Sequence, residues 1–168
     1  KKICFGSLKA LSKSLSSSDK SKTMEARLTG IYNSVQKHNM EHDIDQYFSF
    51  AKIDVSFDSA YEYAKKILST PNRPTAFFCM GDIQAFGVYR AAQELHLAIP
   101  EELSVVSFDD LPINKVLYPE LTTVNQPGFE KGQIAAQMLI DKINGELVEN
   151  RKLSVSISYR QSVAKAKN

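Results

Sequence analysis

The sequence has only two cysteines, Cys4 and Cys79, with no CxxC pair and no His/Cys cluster. Each cysteine lies in an apolar run that reads as a strand, so both are expected to be small buried hydrophobes rather than metal ligands or half-cystines. That usage fits a reducing compartment. No apolar run approaches the ~20 residues that a membrane helix requires. Neither sign of charge dominates: 21 Lys and Arg against 19 Asp and Glu leave +2. This is too little to argue for nucleic acid or an anionic membrane as a direct partner. Neither GxGxxG nor GxxxxGKS/T occurs, so no phosphate-cradling loop supports a nucleotide, and no cofactor is expected. Serine is plentiful, but no GxSxG nucleophile elbow is present. The chain opens at Lys1, and no signal-peptide pattern follows it.

What is present is the composition of a globular α/β chain. The 168 residues, 43% hydrophobic and 24% charged, suit one compact domain or one and a half small lobes. Strand and helix signals alternate. Residues 3–5 form a short apolar run ending at Gly6, and the Ser/Lys-rich stretch 7–22 reads as a mobile loop. From Thr23, a possible cap, apolar spacing turns helical through Met24, Leu28, Ile31, Tyr32 and Val35, ending near His38-Asn39. Residues 47–53 alternate like a strand, and 56–68 are helical. The continuous apolar run 76–80 predicts a strand buried on both faces. Asp82 then reads as the N-cap of a helix over 83–95. Strands are expected at 103–108 and 121–124, a long amphipathic helix over 127–143, and an edge strand over 153–159. This β-α alternation predicts a three-layer parallel sheet with helices on both faces. Ligands of such sheets sit beyond the carboxyl ends of the strands, which here carry Gly6-Ser7, Gly81-Asp82 and Asp109-Asp110.

Asp82, Asp109 and Asp110 admit two readings. Together they suit a magnesium or phosphoryl-acceptor site. Separately, Asp82 is a helix cap and Asp109 an acceptor for a polyol hydroxyl. The three histidines (His38, His42, His96) are scattered and read as structural, and no nucleophile–base pair can be named. Arg27, one turn into the first helix, is either a surface arginine or a fork for two ligand oxygens. The helix 83–95 is apolar on more than one side, so Phe86 and Tyr89 face either a second buried surface or a subunit interface, the latter preferred.

Several motifs then occur in order. Pro74-Thr75-Ala76 through Gly81-Asp82, with Ala85 and Gly87, resembles "PTAxxxxND..A.G". Residues 99–110 resemble "(V/I)PEDxSVVGFDD". Residues 119–127 resemble "PPLTTVxQP", and Tyr159-Arg160-Gln161-Ser162 resembles a closing "xRxS". Together they resemble the effector-binding core of LacI/GalR transcriptional regulators, most strongly over 73–136. The resemblance implies a periplasmic-binding-protein-like lobe within a partial two-lobe core. Residues 1–125 would be the C-terminal lobe, 126–150 a crossover helix belonging to the N-terminal lobe, and 151–168 a return strand and tail. The DNA-binding headpiece would lie outside the chain. It further implies a cytoplasmic, non-enzymatic homodimer that senses a small effector, a sugar, and meets operator DNA only through that headpiece. The alternative within the same architecture is a periplasmic sugar receptor.

By the same resemblance, Arg27, Val55, Gly81, Asp109 and Gln126 would be effector-binding. Gly81 stands where an asparagine is usual and Val55 where an aromatic is usual. Phe86, Tyr89, Arg90 and Leu117 would line a dimer interface, and His96 replaces a helix-ending glycine. The apolar stripe of the 127–143 helix would lack its normal cover.

Overall fold

The computed structural model describes residues 3–5, 22–38, 48–50 and 53–165. Most of the expected loop 7–22, the outer parts of the expected strand 47–53, and His42 lie outside the described residues.

Among the described residues, six strands form one sheet: β1 (Ile3–Phe5), β2 (Phe48–Phe50), β3 (Ala76–Phe78), β4 (Ser104–Asp109), β5 (Thr122–Asn125) and β6 (Ser156–Ser158). Their order is β2-β1-β3-β4-β5-β6. The first five in the chain pair in parallel. The edge strand β6 departs from the parallel expectation: Ser156 enters beside Asn125, where β5 ends, so β6 must run back against it.

Among the described residues, four helices connect these strands: α1 (Lys22–Lys37), α2 (Phe57–Leu68), α3 (Asp82–Glu94) and α4 (Gly128–Ile143). Ser56 caps α2 by accepting from Ser59 N at 3.2 Å. Ala60, Ala64 and Leu68 then recur at four-residue spacing and are buried. On α3, Ala85, Val88, Ala91 and Ala92 make the matching stripe. These two helices seal one face of the sheet, where Phe77, Cys79, Val105 and Leu121 complete the core. Cys79 is buried in the core, as its apolar setting predicted. At the end of α3, His96 takes φ 55°, the left-handed conformation that the helix end demands.

The other face is different. Residues of α1 and α4 stand over it but leave a cavity of about 1330 Å³. The β3 run is therefore buried on one face only: Phe77 is buried while Ala76 and Phe78 are half-exposed. No residue of α4 is buried. Ile134 and Met138 of its stripe line the cavity, whereas Phe129, Leu139, Ile140 and Ile143 face outward.

The close approach of α2 and α3 is set by Gly87. A β-carbon there would meet Phe57 O at 2.5 Å, Tyr61 N at 2.7 Å and Ala60 Cβ at 3.1 Å. Two of these are backbone atoms, which cannot turn aside. Gly87→Ala is therefore expected to lower the unfolding free energy by about 3 kcal/mol. Urea unfolding reads this as a lower midpoint with unchanged slope, and a loss below about 1 kcal/mol would show that the helices separate freely.

Candidate functional site

The carboxyl ends of β3, β4 and β5 lie side by side, and the chain leaves each of them through residues with unusual duties. Asp82 was expected to cap α3, but it does not. The N-cap is Gly81, with no side-chain cap bond, and Asp82 is the first helical residue. Its carboxylate turns inward and is fully buried. Oδ1 accepts from the Ser107 hydroxyl and from Thr123 Oγ1 (2.9 Å). Oδ2 accepts from Leu111 N (2.7 Å) and Asn114 Nδ2 (2.7 Å). One buried charge thus meets four donors from β4, β5, the turn after β4 and the short 3-10 turn Pro112–Lys115, which is how a carboxylate persists without water.

The turn so held is strained. Asp109 and Asp110 take φ 111° and 56°, rare for residues with a β-carbon. The two side chains part company there. Asp110 turns to the sheet edge, accepting from Arg160 Nη2 (2.6 Å), Ser158 Oγ (2.7 Å) and Asn125 Nδ2 (2.8 Å). Burial opposes its charge, but these hydrogen bonds and the guanidinium outweigh burial and hold the carboxyl below the ordinary aspartate range. Asp109 turns outward and is exposed, accepting from Gln126 Nε2 at 2.8 Å. The three aspartates therefore do not converge, and a shared magnesium site is not formed by their carboxylates. Among the described residues, no group of three or more His, Cys, Asp or Glu side chains is arranged to hold a metal ion.

Arg27 reaches the same place from α1. Its Nη1 donates to Met80 O at 2.6 Å, and its guanidinium lies 3.9 Å over the Phe108 ring. Burial lowers its pKa, and the charge of Asp109 opposes that. The fork is thus partly engaged by the protein rather than wholly free in the cleft. Val55 is 58% exposed, just ahead of α2. It lies close to Gly81: a β-carbon on Gly81 would sit 3.8 Å from Val55 Cγ1 and 3.2 Å from Asp109 Oδ2. The five residues singled out from the sequence therefore gather at the carboxyl ends of β3, β4 and β5, with Gly81 buried among them. The apolar cavity over the sheet shares Arg27, Phe108 and Gln126 with this cluster but not Asp109, Gly81 or Val55. It is a gap beneath α4, and the convergent polar groups lie at its rim.

Sequence reasoning missed the supports. Gln84, 1% exposed, accepts from Met80 N (3.0 Å) and donates to Asp54 O (3.1 Å), which seats Val55 beside Gly81. A lone polar residue on the buried stripe of α3 was the available signal. Lys131 donates to Gln126 Oε1 at 3.3 Å. Ser162, inside the closing motif, is buried between β4 and β5, donating to Val105 O (2.6 Å) and accepting from Thr122 N (2.8 Å).

Of the residues named for an interface, Phe86, Tyr89 and Arg90 lie on α3 and Leu117 lies just after the 3-10 turn that follows β4. Phe86, Tyr89 and Leu117 are half-buried against the core. Tyr89 donates to Pro119 O at 3.0 Å, and burial raises its phenol pKa. Arg90 is exposed and pairs with Glu94 at 2.9 Å.

Residues 8–163 match the periplasmic binding protein-like domain family. The chain belongs to that family. A PurR transcriptional repressor of Escherichia coli O139:H28 is 38% identical over 113 residues, covering 66% of this chain and 33% of the repressor. A LacI family transcriptional regulator from Enterococcus faecium, solved with bound ribose, matches with TM-score 0.83 and 26% identity over 98% of this chain and 57% of its own. Its counterpart from Enterococcus faecalis V583, also with bound ribose, gives 0.78 and 26% over 98% and 55%. These likenesses place the chain with the effector-binding domains of LacI/GalR regulators, in agreement with the motifs. The chain spans about a third of the length of the curated relatives it matches. No described helix is long and apolar enough to cross a membrane.

Two outcomes follow from this geometry. Asp82→Ala leaves Leu111 N–H and Asn114 without their shared acceptor, and is expected to cost about 1–3 kcal/mol of stability. Asp109→Asn, on the surface, should change stability by less than about 0.5 kcal/mol. Equal costs in chemical unfolding would contradict the division of labour.

For Asp110, the folded pKa is depressed, so its stabilisation is present above the ordinary aspartate pKa and is lost as pH falls through the folded value. Unfolding free energy should therefore decline between about pH 5 and pH 2. Arg160→Gln should flatten that decline, and an unchanged slope would remove Arg160 as its cause.

Proposed function

We propose that this chain is the ligand-sensing part of a LacI/GalR-type transcriptional regulator whose effector is a small uncharged sugar. The observation that carries the reading is the meeting of Arg27, Asp109 and Gln126 at the carboxyl ends of the parallel strands, where such sheets bind ligands. A guanidinium and a carboxylate within reach of one another, flanked by an amide, offer donors and acceptors in near balance. That suits hydroxyl groups better than a phosphate, which would face Asp109 as well as Arg27. Val55 supplies an apolar wall but no ring on which a flat base stacks. The ribose named for two structural relatives is a ligand of this kind.

Arg27, Val55, Gly81 and Asp109 form one wall of a cleft, and the second wall is the N-terminal lobe of the whole protein, to which residues 126–150, beginning at Gln126, belong. An effector that binds the closed arrangement better than the open one shifts the balance between them. The shift reaches DNA through headpieces joined by the dimer, whose surface includes Phe86, Tyr89, Arg90 and Leu117. Exposed Ile113, Val116 and Tyr118 on the neighbouring loop extend that surface. The protein works in the cytoplasm, catalyses no reaction and needs no cofactor. The rival reading, a periplasmic sugar receptor, has less support because the relatives named above are repressors and regulators.

Thermal denaturation of the full-length protein with sugars, sugar phosphates and nucleobases tests this. One sugar at about a hundred times its dissociation constant is expected to raise the midpoint by about 5 °C, and Asp109→Ala should abolish the rise. A shift with a nucleobase alone, or one unaffected by Asp109→Ala, would overturn the sugar reading or the site.

A further inference from the structure

The two faces of the sheet are closed unequally at its centre. On the α2 and α3 side, Phe77 and Val105 are buried. Phe78, Val106 and Phe108 point the other way and stay half-buried. These three side chains line the cavity of about 1330 Å³, together with Ile31 of α1 and Ile134 and Met138 of α4. The space is larger than most small-molecule sites, and apolar side chains at the middle of a sheet are costly to leave in water.

The fully charged groups around this cavity are of one sign. Among the described residues, those lining it include Arg27, Lys131, Arg151 and Lys152 and no aspartate or glutamate. None of the four is in an ion pair among the described residues. Asp109, outside the cavity, offsets part of the Arg27 charge and leaves the other three. The topology gathers all four at one end. Arg27 reaches Met80, just past β3, and Lys131 holds Gln126, just past β5. Arg151 and Lys152 stand just ahead of Ser156, which pairs with Asn125 at the carboxyl end of β5. From there the lining follows β4 from Phe108 to Ser104, about 13 Å, and ends at Val163, next to Ala164, whose N–H donates to Ser104 Oγ. His38 lies at the opposite end of α1 from Arg27. The cavity thus has a cationic mouth and an apolar depth.

We propose that this cavity binds a single-chain anionic amphiphile, a fatty carboxylate. Its tail lies along Phe108, Val106 and Phe78, and its head among Lys131, Arg151 and Lys152. The tail removes apolar surface at the sheet centre from water. The head answers cations that have no carboxylate partner in the described chain. Because residues of α4 stand over the sheet, a slender flexible chain reaches these side chains more readily than a helix about 10 Å wide. A sugar, with hydroxyls on every side, is poorly served by so apolar a lining. The inference goes beyond the sugar reading and does not rest on it: Val55, Gly81 and Asp109 all lie outside this cavity.

The test is calorimetric titration of the full-length protein with sodium octanoate, decanoate and dodecanoate below their micelle concentrations. Dodecyltrimethylammonium serves as the cationic counterpart, and thermal denaturation is run alongside. One dodecanoate should bind per chain and raise the midpoint. Affinity should rise about tenfold for each two added carbons, as burial of two methylenes gives, and the ammonium should bind at least about tenfold more weakly than dodecanoate. Arg151→Gln combined with Lys152→Gln, both at exposed positions, should lower dodecanoate affinity about tenfold and leave that of neutral decanol unchanged. Val106→Phe takes up space in the cavity with a residue that strands accept. It should weaken all three carboxylates, and the exposed double variant carries the test if Val106→Phe does not fold. Equal binding of the ammonium, affinity indifferent to the variants, or a midpoint that falls as many amphiphiles bind per chain would overturn the proposal. An acidic amphipathic peptide that binds where dodecanoate does not would overturn it in favour of a docked helix. Binding of no probe would overturn it as well, the cavity then being closed by the rest of the full-length protein.

Discussion

One buried carboxylate organises the ligand-facing end of this sheet. Asp82 takes hydrogen bonds from Ser107, Leu111, Asn114 and Thr123, which belong to four different segments. A charge taken out of water is costly unless its lone pairs are filled. Once they are filled, each donor is fixed in direction as well as distance. That is why the turn after β4 can keep two consecutive residues at positive φ. Such strain survives only where the surroundings leave the chain no alternative, and Asp82 supplies that constraint through Leu111 N–H. The exposed loop bearing Ile113 and Val116 hangs from the same carboxylate through Asn114.

The strained turn separates two adjacent carboxylates that sequence alone would group. Asp110 is spent on structure: with Arg160, Ser158 and Asn125 it fastens the antiparallel edge strand to the end of β5. Asp109 is left facing outward, with one oxygen on Gln126 and the other open. Since Gln126 also accepts from Lys131 in the first turn of α4, anything that displaces its amide from Asp109 acts on the start of that helix. Asp109 and the start of α4 are thus linked by two hydrogen bonds through Gln126.

The two faces of the sheet tell the same story from the side of packing. Against α2 and α3, small residues and Gly87 allow a close fit, and polar supports such as Gln84 are fully enclosed. Against α1 and α4 the fit is open, and α4 buries none of its residues. Among the described residues, this amphipathic helix therefore carries an apolar stripe with no buried member.

The local elements were legible in the sequence because periodicity is a property of neighbours. Alternating strand and helix patterns and the left-handed position at His96 depend on residues a few places apart. The strand ends of an α/β sheet marked where a ligand would sit, and motif resemblance selected Arg27, Val55, Gly81, Asp109 and Gln126 there. What sequence could not decide was the partner of each polar group. Asp82 reads locally as a helix cap, yet its four donors lie 25 to 41 residues away. Only the folded sheet brings them within reach, and burial then makes the long-range bonds outweigh the short-range cap. The same holds for the split between Asp109 and Asp110, for the grip of Arg27 on Met80, and for the closeness of Gly81 to Asp109 and Val55. Each is a contact between residues 15 or more positions apart in the chain that only the folded sheet brings together.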